Sequence, residues 1–330
     1  MRRWFRRHAK VAVVLAAVLP VTGAGVVAWA GETSPPVVAA GTSVVALIGD
    51  SPYSTTQQGQ YPALVSAING ASGVVRVFHV GDTKASGACS DAYFTGVRDS
   101  FNTFSDPVFF TPGDNDWADC HRSDNGQFVP TERLDAIRRI FYPTPGKTLG
   151  QTPLDVSYQQ GYVENTRTRI QGVIVATFHM IGSANGLNPW TGLPGGDQPA
   201  ARQAEYNGRM TANLTWIDEA FLRAKNENAP GVLLVTQAEP TTASGFLEIR
   251  NKIKAKAAEF GKPVLIVHGD EHKFEYDATY AGLANLSRLE VCGNQVPEWV
   301  SLTIDTADPG VFSWQRHSPQ TGICPGATTG

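Results

Sequence analysis

No two of the four cysteines stand in a C-x-x-C spacing, which excludes a structural zinc knuckle. The sequence also contains no G-x-S-x-G elbow, no Walker loop and no dinucleotide fingerprint, so serine-hydrolase, P-loop and Rossmann-type chemistry lack support. There is no internal repeat and no low-complexity insert. Charge is sparse, 17% of residues, and acids (30) nearly balance bases (27), while 42% of the chain is hydrophobic. A disordered polyelectrolyte is thereby excluded, and 330 residues exclude a disulfide-stapled miniprotein. The length suffices to bury a full core.

One absence is local. No acid precedes Glu32, whereas Arg2, Arg3, Arg6, Arg7 and Lys10 crowd the first ten residues. Setting those five aside leaves 22 basic against 30 acidic side chains, a balance of about -8. The basic start, the small apolar run from Val11 to Val27 and Ala28-Trp29-Ala30 read as a signal peptide over 1–30, cleaved before Gly31. Arg2-Arg3-Trp4-Phe5 resembles a twin-arginine start, so the expected route is Sec or Tat and the destination extracellular, cell wall or periplasmic. Membrane attachment is expected only if the segment stays uncleaved. In an exported chain an even cysteine count implies disulfides, and nearness in sequence favours Cys89 with Cys120 and Cys292 with Cys324 among three possible pairings. The acidic remainder argues against nucleic-acid binding.

Residues 31–43 read as a linker, 44–316 as one domain and 317–330 as a C-terminal tail. Within the domain, β-branched apolar runs alternate with amphipathic stretches, the pattern of an α/β fold. Strands are expected at Val44–Ile48, Val74–His79, Val108–Thr111, Val173–Phe178, Val232–Thr236, Val264–His268, Leu289–Val291 and Val300–Ile304. Helices are expected at Tyr61–Asn69, Asp91–Phe104, Thr131–Phe141, Ala200–Asn226 and Gly245–Phe260. Arg133, Arg138 and Arg139 read as a solvated helix face. Asn213-Leu214-Thr215 and Asn285-Leu286-Ser287 match the glycosylation pattern.

Four strand candidates run straight into an acid and a turn: Gly49-Asp50-Ser51-Pro52-Tyr53, Gly81-Asp82-Thr83-Lys84, Pro112-Gly113-Asp114-Asn115-Asp116 and His268-Gly269-Asp270-Glu271-His272. The carboxyl ends of neighbouring strands in an open α/β sheet share one rim, where ligands bind. Asp50, Asp82, Asp114, Asp270 and His272 are therefore expected in one place. Clustered carboxylates repel one another unless a cation lies among them, which points to divalent metal.

With these blocks in hand, the chain resembles the calcineurin-like metallophosphoesterases, whose motifs are D-x-H, G-D, G-N-H-[DE], a lone His after a strand, and G-H-x-H. The likeness spans roughly Val44 to Phe274 and is greatest to an exported branch with G-D-x-P-Y, H-x-G-D-x-K, P-G-D-N-[DE]-W-x-D-C and H-G-D-x-H. It implies a four-layer αββα sandwich, a two-metal site at the strand ends, and hydrolysis of a small phosphomonoester or phosphodiester by metal-activated water. Asp50 then matches the first ligand and Asp82 the bridging aspartate. Asp114 stands where the family has a metal-binding Asn, and Asn115 where it has the His that serves the leaving group. Gln237 is the nearest substitute for the lone His, Asp270 replaces one His of the last block, and His272 keeps the other.

Exchanging imidazole for carboxylate gives a hard oxygen site, which favours Mn, Mg, Fe or Ca over Zn. With Asn115 in place of the His, His121 and His79 are the candidate proton donors. Lys84 and Arg122 are candidates to neutralise phosphate, and His179 and Asn185 to face the rim. The alternative is a binding or scaffolding protein that keeps the fold and has lost turnover.

Overall fold

The computed structural model describes residues 41–294, 297–319, 324 and 326–329. The signal segment, most of the linker and part of the C-terminal tail lie outside the described residues.

Two sheets carry the fold. The first has the order β12-β11-β1-β2-β3, built from β1 (Thr42–Ile48), β2 (Val74–His79), β3 (Val108–Phe110), β11 (Trp299–Asp305) and β12 (Phe312–His317). The second has the order β13-β9-β10-β8-β7-β6-β5-β4. Its members are β4 (Ser157–Gln159), β5 (Tyr162–Ile170), β6 (Val173–Thr177), β7 (Val232–Val235), β8 (Val264–His268), β9 (Phe274–Asp277), β10 (Leu286–Glu290) and β13 (Gly326–Thr329). Strands β1, β2 and β3 run parallel, as do β6, β7, β8 and β10.

The parallel strands are apolar on both faces because each face is covered. Val45 and Leu47 of β1 meet Val175, Leu233, Leu265 and Val267 in a core between the sheets. Ala46 and Ile48 turn the other way, onto helices α1 (Thr55–Asn69), α2 (Asp91–Phe101) and α3 (Pro130–Phe141). Ile174, Leu234 and Ile266 face α4 (Pro199–Asn226) and α5 (Leu247–Phe260). Three apolar layers therefore separate four structural layers, the αββα sandwich that the resemblance implies. Ser54 and Ser90 cap α1 and α2 by accepting from the amides of Gln57 and Tyr93, and prolines start α3 and α4 where no amide donor is needed.

The disulfides are Cys89–Cys120 and Cys292–Cys324, as nearness in sequence favours. The α3 face departs from expectation. Arg133 is buried on the Cys89 carbonyl and Asp91, and Arg138 pairs with fully buried Glu164; only Arg139 stays in solvent. Both sequon asparagines are engaged in the fold: Asn213 is buried on the His179 carbonyl, and half-buried Asn285 donates to the carbonyls of Ala257 and Lys262. Among the described residues no helix is long and apolar enough to cross a membrane.

Candidate metal centre

The carboxyl ends of β1, β2, β3, β6, β7 and β8 open onto one rim between the sheets, and each contributes a side chain there. Sharp exits from the strands are required. Asp50, Asp82, Asp270 and His272 all adopt left-handed backbone (φ 48°, 56°, 82° and 58°), a conformation that costs a non-glycine residue about 1 kcal/mol and concentrates at functional sites.

These exits produce two ligand groups that share one member. Asp50, Asp82 and His272 place ligand atoms within 4.8 Å of one another, and so do Asp82, Asp114 and Asp270. Asp82 is fixed from several sides. Its Oδ1 accepts the Asn115 amide (3.0 Å), and its Oδ2 accepts Tyr53 Oη (2.8 Å), Asn115 Nδ2 (3.2 Å) and Gln237 Nε2 (3.2 Å). Gln237 Nε2 also donates to Asp270 Oδ1 (2.9 Å), while its Oε1 accepts the Gly182 amide. Ser183 Oγ lies 2.7 Å from Asp114 and 3.0 Å from Asp119. Behind them Asp116, fully buried, accepts the amides of Asp82, Thr83 and Gly113 and so sets the turn that carries Asp82.

The electrostatics follow from burial. Burial, then the charge of Asp114, holds Asp82 well above the usual carboxylate range. Burial and Asp114 push Asp270 to about 8, and burial and Asp119 push Asp114 to about 6. Asp50 is raised by burial against the opposing effect of His272. Burial disfavours the His272 imidazolium, but Asp50 outweighs it and leaves the pKa raised. Among the described residues no lysine or arginine forms an ion pair with Asp50, Asp82, Asp114 or Asp270; their hydrogen-bond donors are neutral apart from His272. Three buried carboxylates and the half-buried Asp270, with one imidazole and no lysine or arginine paired to them, form a donor set that fits divalent metal, with oxygen ligands dominant.

Close approach makes the second group sensitive. A Cβ on Gly182 would lie 2.3 Å from Asp270 Oδ1 and 2.8 Å from Asp114 Oδ2. Gly182→Ala is expected to leave the fold intact, turn both carboxylates aside and weaken metal binding by about 10–100-fold. Calorimetric titration with Mn2+ checks this; unchanged affinity would show that the second group holds no metal.

Of the residues expected at the rim, Asp50, Asp82, Asp114, Asn115, Gln237, Asp270 and His272 are brought together. Others are not. His79 is buried with both ring nitrogens committed, Nε2–H to the Ser51 carbonyl (2.9 Å) and Nδ1 to the Gly81 amide (3.1 Å). Burial lowers its pKa to about 4, so it braces two site loops as a neutral ring and has no proton to deliver. His121 accepts the Gly192 amide at Nδ1 and is lowered by burial and Arg122. Lys84 is buried with its ammonium on Asn125, and Arg122 is engaged by Asp119 at 2.5 Å. Asn185 is buried between Arg209, Gly245 and the Ile181 amide, away from the rim. His179 lies between Glu164 and Trp117.

Sequence reasoning missed Tyr53, Ser183, Asp116 and Asp119. Tyr53 was visible in the first block, and its hydroxyl reaches Asp82, Asn115 Nδ2 (3.0 Å) and His272 Nε2 (3.0 Å). Ser183 lies in the segment after β6 from which His179 and Asn185 were expected at the rim, and it is Ser183 that reaches the site.

Fold and rim together define a two-sheet αββα protein with a carboxylate-rich centre at its strand ends. Among solved structures the chain is similar to GAP50, described as the anchor in the inner membrane complex of Plasmodium, at 10% identity over 86% of each chain with a TM-score of 0.51. It is more distantly similar to the calcineurin-like phosphoesterase YfkN from Bacillus subtilis, at 11% identity over 84% of this chain and 91% of that one, with a TM-score of 0.39. No protein-family model matches the chain, and no curated protein matches it in sequence. At such identities these are likenesses of fold.

Proposed function

We propose that the chain is an exported, metal-dependent phosphoesterase of the calcineurin-like kind, acting on a small phosphomonoester or phosphodiester. The observation that carries this reading is the shared Asp82, a single buried carboxylate common to two ligand groups. Asp50 and His272 complete one group, and Asp114 and Asp270 the other. Divalent cations held by these residues would supply electrophilic stabilisation of phosphoryl charge and would lower the pKa of a bound water. The protein's part is to hold four carboxylates at fixed spacing and to present Asn115 and Tyr53, both partly exposed, as neutral donors beside Asp82.

Among the described residues no imidazole other than His272 faces this cluster, and His272 belongs to the ligand set. An alkoxide therefore leaves without help from a general acid, and turnover is expected to favour acidic leaving groups. Purified mature protein assayed with aryl phosphates and bis-aryl phosphates, in Mn2+, Mg2+, Ca2+ and Zn2+, tests this. Activity removed by EDTA and falling steeply as the leaving-group pKa rises supports the reading. A second reading, metal-dependent binding without turnover, draws on the same missing imidazole; it gains if metal binds stoichiometrically and no ester is cleaved. Export is supported by the basic leader, Ala28-Trp29-Ala30 and the two disulfides. The acidic balance of the mature chain supports a small substrate over nucleic acid.

A further inference from the structure

Each disulfide abuts the backbone of a site residue. Both sulfurs of Cys292–Cys324 touch the His272 carbonyl oxygen, at 3.3 and 3.7 Å. A disulfide sulfur carries no hydrogen, so these are packing contacts. The next residue, Gly293, presses on the other strand exit: a Cβ there would lie 1.9 Å from the Gly49 carbonyl oxygen and 3.0 Å from that of Asp50. Gln57 Nε2 locks the turn by donating to the Gly293 carbonyl at 2.6 Å. Cys324 is anchored in turn by Glu298, which accepts its amide (2.9 Å) and pairs with Arg316 (2.7 Å). The disulfide and the Cys292–Gly293 turn beside it therefore back Asp50 and His272, the two ligands that the first group does not share. Cys89–Cys120 lies elsewhere, against the carbonyls of Asn115 (3.9 and 4.0 Å) and Asp116 (3.5 Å).

We propose that Cys292–Cys324 is a positioning disulfide for the Asp50, Asp82 and His272 group, so that its oxidation and metal binding at that group favour one another. This rests on the reading of the rim as a metal centre and is independent of whether esters are hydrolysed. The redox step is thiol–disulfide exchange: two cysteine thiols lose two protons and two electrons, one S–S bond forms, and a disulfide oxidant is reduced to two thiols. With the bond broken, the Cys292–Gly293 turn no longer fixes the Asp50 and His272 exits, both of which are held in left-handed backbone. Coupling between two equilibria is reciprocal: if the disulfide raises metal affinity by some factor, metal shifts the dithiol–disulfide equilibrium by the same factor.

The test uses the full-length processed protein equilibrated in dithiothreitol redox buffers with and without Mn2+, with cysteines read by alkylation and mass spectrometry. Saturating Mn2+ is expected to shift Cys292–Cys324 toward the disulfide by about tenfold or more, ~30 mV for a two-electron couple, and Cys89–Cys120 by much less. In the C292A/C324A variant, electron paramagnetic resonance is expected to show one isolated Mn2+ in place of a coupled pair. An equal shift of both disulfides, or a coupled pair retained in the variant, would overturn the proposal with the metal reading intact. Failure of the oxidised protein to bind Mn2+ at all would overturn both. If the variant does not fold, the wild-type redox titration decides.

Discussion

Asp82→Asn is expected to empty both metal positions at once and, with metal absent, to make the protein more stable. Asp82 is the one residue in both ligand groups, and its two oxygens already meet Asn115, Tyr53 and Gln237. Replacing groups that merely orient ligands costs about 10–100-fold in metal affinity, so loss of a shared ligand should exceed ~100-fold and take hydrolysis to background. The stabilisation has the opposite origin. Burial and four neighbouring aspartates oppose the Asp82 charge, a penalty that an uncharged amide removes. The Tyr53 hydroxyl can turn to Asp50 Oδ1 (3.4 Å), while Gln237 Nε2 keeps Asp270 and Asn115 Nδ2 keeps the Tyr53 oxygen as acceptors. Calorimetric melting in EDTA and in Mn2+ measures both effects. A variant that still takes up two equivalents of Mn2+, or that melts lower than the parent in EDTA, would refute this account of the centre.

The second large effect is in the pH dependence of the metal-free protein, which should lose stability between about pH 6.5 and 8. Asp270 and Glu290 are pushed up to about 8, chiefly by burial, and Asp82 is held well above the usual range. For a carboxyl whose folded pKa is raised, no penalty exists below the unfolded value. It grows as pH rises, because the unfolded chain releases a proton that the folded chain retains. His272, raised by Asp50 against its burial, adds stability that is likewise lost as pH rises. Below about pH 6.5 the buried rings act in the other direction, since His79 and His268 are lowered by burial to about 4 and 3 and resist the protonation that unfolding allows.

Each proton retained by the folded state above that point contributes roughly 1.4 kcal/mol per pH unit, so the melting temperature should fall by about 5–10 °C. Saturating Mn2+ should reverse the slope, because the metal takes the place of the retained protons. Parallel slopes with and without metal would mean that the cation does not occupy the carboxylate cluster.

Much of this centre was legible in the chain. An apolar run ending in Gly-Asp marks a strand exit, and four such exits in an α/β pattern bring Asp50, Asp82, Asp114 and Asp270 to one rim. Strand β5 was illegible for a definite reason. Glu164, Asn165 and Arg169 break its apolar pattern, and each is satisfied by a distant partner: Arg138 and His179, Asn213, and Glu227. The helix face of Arg133 and Arg138 misled for the same reason, because pairing buries Arg133 and half-buries Arg138, two cations that periodicity alone puts in solvent.

Residue order by itself determined the α/β class, the disulfide pairing favoured by nearness, and the acids at the strand ends, since these depend on local periodicity and short spacings; the layered sandwich was only what the resemblance implies. Tertiary structure alone decided which groups meet across tens or hundreds of residues. It placed Tyr53 against Asp82 and His272, Ser183 against Asp114, and Gly293 against Asp50. It also withdrew His79 and Asn185 from the chemistry, because the role of a histidine or an amide depends on which partners hold its polar atoms. Those partners come from other strands, and only the folded chain brings them within hydrogen-bonding distance.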